Sequence, residues 1–128
     1  MRRLFHLLLV LFTLIGSVEA RTIAVGKQQM FTSLQEAIRA AKPYDTILVK
    51  GGHYKEGNIK IIIPLVLIGI DQPLLDGENK YEIMTISAPD VSIHGFSFQN
   101  TGVSSMDDLA AIKGKNARRL LIQNNHFS

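Results

Sequence analysis

One pattern of apolar and polar positions occurs three times along the chain. It reads Pro64-Leu65-Val66-Leu67-Ile68-Gly69-Ile70, then Asp90-Val91-Ser92-Ile93-His94-Gly95-Phe96, then Arg119-Leu120-Leu121-Ile122-Gln123-Asn124-Asn125. Each copy sets two apolar residues two apart: Leu65 and Leu67, Val91 and Ile93, Leu120 and Ile122. Alternation with period two predicts a strand with one buried face. Two positions further on stand Gly69, Gly95 and Asn124, the residue types that enter left-handed backbone most cheaply, so these three are read as sharp corners. The corners recur after 26 and then 29 residues. A unit returning at that spacing predicts a stacked repeat rather than a sandwich.

The rest of the chain fits the same scheme. Ile23 and Val25 alternate before Gly26 and predict a first short strand. Ser33 followed by Glu36 is a capping box that opens a helix of about nine residues. Leu34, Ala37, Ile38 and Ala41 share its apolar face, and Pro43 ends it. So short a helix is marginal in water and must lie on something, as a lid over the first coil of a stack. Beyond Pro43 the pattern is strands: Asp45 to Lys50 running into Gly51-Gly52-His53-Tyr54, then Ile59, Ile61 and Ile63 alternating, then the repeats, with Asp76-Gly77 a turn pair. Met30 and Met84 are read as core. Phe127 repeats the position of Phe98, and no second helix is evident. Short strands separated by Gly, Asn and Asp predict an all-β chain, a right-handed parallel β-helix with a short N-terminal capping α-helix. Leu67, Ile93 and Ile122 should form one interior column.

The first twenty residues are set apart from this fold. Arg2 and Arg3 precede an apolar run from Leu4 to Gly16, and Val18-Glu19-Ala20 offers small residues at the sites a signal peptidase reads. That run, broken only by His6 and Thr13, is thirteen residues long, too few for a stable membrane span. Residues 1–20 are therefore expected to be a secretory signal and residues 21–128 the mature coils, exported from the cytoplasm. Leaving out Arg2, Arg3 and Glu19 takes the 14 basic and 11 acidic side chains to 12 and 10, a net +2. That balance is too weak and too scattered to favour nucleic acid. With no cysteine, the chain has neither disulfides nor a thiolate for metal or catalysis. Ser128 falls within a repeat, so the expectation is the front part of a longer β-helix, or an end covered by a partner.

The segment Ser33-Leu34-Gln35-Glu36-Ala37-Ile38, with Asp45-Thr46-Ile47-Leu48-Val49 and Gly52-His53-Tyr54, resembles the opening of secreted β-helix proteins of the pectin-lyase-like superfamily. Within it, the first two repeats, Leu75-Asp76-Gly77, Asn100-Thr101-Gly102, Asp107-Asp108-Leu109-Ala110-Ala111-Ile112 and Leu120-Leu121-Ile122-Gln123-Asn124-Asn125 are similar to the nitrous oxide reductase maturation proteins (NosD). Gly51 stands where that family usually has proline. The resemblance implies a periplasmic accessory protein, not an enzyme, that works with an ABC transporter and nitrous oxide reductase while the copper centre is assembled. Copper enters only through this resemblance. Phe98-Gln99-Asn100-Thr101 also looks like a segment of pectin methylesterases, so the alternatives are a secreted polysaccharide-active enzyme or a carbohydrate-binding β-helix.

Candidate chemistry is sparse. The mature chain holds His53, His94 and His126, with Met30, Met84 and Met106. His94 and His126 are the metal candidates. By parity with Ile93, His94 points outward, and His126 aligns with Ser97. No histidine pair has the i, i+2 or i, i+4 spacing of a preformed ligand set, and solvated surface histidines are the plain reading. Asp107-Asp108 with Arg118-Arg119 is the local acid–base candidate, although adjacent acids on a strand face opposite ways. No catalytic residue is assigned. Asn124-Asn125 is expected to form a turn and a side-chain ladder.

Overall fold

The computed structural model describes residues 19–103 and 109–128. The signal segment expected over residues 1–20 therefore lies almost wholly outside the described residues, as do Met106, Asp107 and Asp108. No helix among the described residues is long and apolar enough to cross a membrane.

The chain runs β1 (Thr22–Val25), α1 (Leu34–Ala40), β2 (Thr46–Lys50), β3 (His53–Tyr54), β4 (Ile59–Ile61) and β5 (Val66–Ile70). It continues as β6 (Leu74–Asp76), β7 (Met84–Ile86), β8 (Ser92–His94), β9 (Ser97–Gln99), β10 (Ile112–Gly114), β11 (Leu121–Gln123) and β12 (His126–Phe127). These strands make a five-stranded sheet β1-β2-β5-β8-β11, a four-stranded sheet β12-β9-β6-β3 and a three-stranded sheet β10-β7-β4. Every pairing between them is parallel. From β2 onward the chain visits the five-, four- and three-stranded sheets in turn and then begins again. The fold is thus parallel β with one short helix.

Side chains directly opposite in successive strands stack into columns. Ile23, Ile47, Leu67, Ile93 and Ile122 are level with one another in the five-stranded sheet. Tyr54, Leu75, Phe98 and Phe127 form the column of the four-stranded sheet, and Ile59, Met84 and Ile112 that of the three-stranded one. The expected alignment of Leu67, Ile93 and Ile122 is therefore present, with one difference. Leu67 and Ile93 are fully buried, whereas Ile122 is 40% exposed. Its strand is the last of the sheet, so no neighbour covers its far side. Phe127 is half exposed for the same reason, its ring stacked on Phe98 at 5.0 Å and 9°.

At the other end α1 lies over β1, β2 and β4 and buries Leu34, Ala37 and Ile38. It has seven residues, and the capping box is only half realised. Ser33 Oγ accepts from the Glu36 N–H, but the carboxylate on the helix start is Glu56, 23 residues beyond Ser33. Its oxygens accept from Ser33 Oγ at 2.7 Å and from the N–H groups of Leu34 and Gln35, both at 2.9 Å. A remote carboxylate thereby satisfies two of the donors that a helix start leaves open, and opposes the positive end of the helix dipole. Replacing Glu56 with alanine should cost about 1–2 kcal/mol. Thermal melts near neutral pH check it, and an unchanged midpoint would show the cap to be dispensable.

Two expectations need correction. Gly95 and Asn124 are left-handed corners, with φ of 85° and 53°. Gly69 is not one: it lies within β5, paired with Val49, and the corner falls at Asp71 and Gln72, with φ of 60° and 46°. Gly69 meets a different demand. A Cβ there would run into the carbonyl oxygen of Gly95 on the next strand, so the glycine serves close approach rather than a turn. Met30, expected in the core, is 87% exposed. After Gly26 the chain doubles back so that the Gly26 N–H meets the Phe31 carbonyl at 2.9 Å, and Phe31, not Met30, packs against the core. Met84 is buried, as its place in β7 requires.

Candidate functional site

The chemistry-bearing residues that the fold does bring together are His53, Asp76 and Asn100. They come from three successive passes through the four-stranded sheet, 23 and 24 residues apart. Tyr54, Leu75 and Phe98 face the core, so their neighbours His53 and Asp76 face outward, at β3 and at the end of β6. Asp76 then turns the chain. Its Oδ1 accepts from the Glu78 N–H at 2.8 Å, an Asx turn that carries Glu78 and Asn79 through left-handed backbone. Asn100, itself left-handed, donates from Nδ2 to the same Oδ1 at 3.1 Å. His53 Nε2 lies 2.6 Å from Oδ2.

Asp76 is only 7% exposed. The Glu78 N–H and the His53 hydrogen bond outweigh its burial, with Asn100 helping, and hold the carboxyl well below the usual range, at about 2. An ionised carboxylate only accepts, so the proton on the shared bond is carried by His53 Nε2, leaving Nδ1 as the second ring nitrogen. The His53 side chain is 50% exposed. The arrangement is an accessible imidazole oriented by a buried carboxylate, as in general-base and ligand sites. Along the outward row of the sheet His53 is followed by Leu74, Ser97 and His126. With strands spaced about 4.8 Å apart, His53 and His126 stand roughly 14 Å from each other.

His126 is level with Ser97, as expected, and exposed. His94 is also exposed, on β8 of the five-stranded sheet, level with Ile68 and Gln123. It borders a shallow recess of about 260 Å³ with Val66, Ser92 and Leu121. The two metal candidates thus sit on different sheets. Among the described residues no three His, Cys, Asp or Glu side chains group as metal ligands.

Of the acid–base candidate, Asp107 and Asp108 lie outside the described residues; Arg119 forks its guanidinium onto Asp90. That pairing holds the Asp90 carboxyl below its ordinary value and Arg119 above. Asn124 forms the expected turn, and Asn125 beside it reaches back to the preceding pass. It accepts from the Phe96 N–H and donates to the Ile93 carbonyl, both at 2.9 Å, closing the Gly95 corner.

No family model, no curated protein and no solved structure matches this chain.

Proposed function

We propose that the chain forms the first coils of a right-handed parallel β-helix that is exported and acts as an assembly scaffold while the copper centre of nitrous oxide reductase matures. One observation carries this reading. The residues on which the resemblance to the maturation proteins rests fall level with one another in a single parallel sheet: Leu67, Ile93 and Ile122 in one column, with Gly69 and Gly95 in contact beside it. Right-handedness follows from the strong preference of parallel crossovers for that hand. In this reading the copper is cargo for the reductase, and the scaffold works by surface contact with the reductase and its ABC transporter. The free edges of β10, β11 and β12 suit a further coil of the same cross-section.

The test places the chain, with its N-terminal segment, in a denitrifying host stripped of its own maturation factor but retaining reductase and transporter. The expected result is recovery of the reductase's copper–sulfide absorption. A reductase that stays unloaded while the chain accumulates, folded, in the periplasm would overturn the assignment. Release of methanol or unsaturated sugars from pectin by the purified chain would instead favour a polysaccharide-active enzyme.

A further inference from the structure

We propose that the cleft between α1 and β4 binds a small amphipathic anion, a monocarboxylate with an apolar tail. The cleft measures about 620 Å³, within the range that small-molecule sites occupy. Its apolar wall is made by Ile38 and Ala41 at the end of the helix and by Ile62 and Ile63 just after β4. Ile62 is 73% exposed, a large apolar side chain at the mouth of a concave surface.

The polar groups around that wall are unequal. The Glu56 carboxylate also lines the cleft, but it is engaged by Ser33 Oγ and the helix N–H groups. Asn58 is tied through Nδ2 to the Glu82 carbonyl and to Thr85 Oγ1, both at 3.0 Å. Gln35 is tied as well: its Oε1 accepts from the Lys60 N–H at 3.0 Å, and its Nε2 donates to the Lys60 carbonyl at 3.5 Å. What remains is Arg39 and Lys60, both exposed, and among the described residues neither enters an ion pair. Two cations beside an apolar wall complement a ligand with one charged end and one greasy end.

The Gln35 clamp decides what kind of ligand. β4 is the outer strand of its sheet, and an extended peptide would normally add there through backbone hydrogen bonds. At Lys60 the outward N–H and C=O are already occupied by the Gln35 amide, so strand addition is blocked at that residue. A recess bounded by a helix on one side and a strand on the other admits a single tail rather than the plane of a bilayer.

The experiment titrates the full chain, labelled for NMR, with octanoate, octylammonium and 1-octanol, which share a tail and differ in charge. Octanoate is expected to bind saturably and to shift Ile38, Ile62 and Ile63. The exposed double variant Arg39→Gln/Lys60→Gln should weaken it about tenfold or more, with the melting profile unchanged. Equal binding of octylammonium, shifts centred on Ile122 and Phe127, or no saturable binding of octanoate would each overturn the proposal.

Discussion

Alanine at Gly69 is expected to destabilise the protein by about 3 kcal/mol or more, at the severe end of what single substitutions do. The two glycines face each other across adjacent strands. A Cβ on Gly69 meets the carbonyl of Gly95, and a Cβ on Gly95 would lie 2.6 Å from the carbonyl oxygen of Gly69. Both obstacles are backbone, so no rotamer change relieves them, and the strands themselves must part. Leu67 and Ile93, whose column lies two residues away, would part with them. Gly95→Ala adds the strain of a side chain at φ 85°. The control is Gly114→Ala, whose new methyl finds the Ala117 side chain at an ordinary 3.4 Å. It should stay within about 0.5 kcal/mol of the parent. Urea unfolding midpoints at constant slope make the comparison. Equal shifts for Gly69→Ala and Gly114→Ala would show that the close approach is not a constraint.

The second large effect is acid sensitivity through Asp76. Its carboxyl titrates at about 2 when folded, against roughly 3.9 in an unfolded chain. Because the folded value is depressed, the stabilisation is fully present above about pH 4 and is lost as pH falls through 2. The shift corresponds to about 2–3 kcal/mol. Asp45 acts in the same direction. Burial alone would raise it, but the N–H groups of Lys42 and Arg21 and the Arg21 guanidinium together leave it below its ordinary value. In Asp76→Asn the stability curve between pH 4 and 2 should flatten, and the variant should already be weaker at pH 7, since His53 and the Glu78 N–H lose a charged acceptor. Parallel curves for parent and variant over that interval would refute the assignment.

Much of this architecture was legible in residue order alone, because parity is a local property. Ile23, Ile47, Leu67 and Ile93 announce their inward side by their neighbours, and a common sharp corner announces a common register. What parity leaves open is which job a glycine does. Gly69 and Gly95 occupy matching places in their repeats, yet one is an extended residue that makes room and the other a turn. Distant polar partnerships were hidden for a related reason. His53 meets Asp76, and Glu56 meets the helix start, only once the length of each pass sets which outward side chains coincide. The 23- and 24-residue steps from His53 to Asp76 to Asn100 were the available clue, but a histidine, an aspartate and an asparagine do not look like copies of one another. Met30 misled because hydrophobicity says nothing of a five-residue loop that closes between Val25 and Phe31.

The helix seated over the first strands, with each later strand added to one that precedes it, gives the molecule a direction in time. A polypeptide leaves the ribosome from its amino end at roughly 5–20 residues per second. Ile47, Leu67, Ile93 and Ile122 follow one another at intervals of 20, 26 and 29 residues, so each pass takes about one to six seconds to be made. From β5 onward each newly synthesised strand finds its template already laid down behind it. The helix start still waits for Glu56 and His53 for Asp76, but for the later strands the order of manufacture is also the order of assembly.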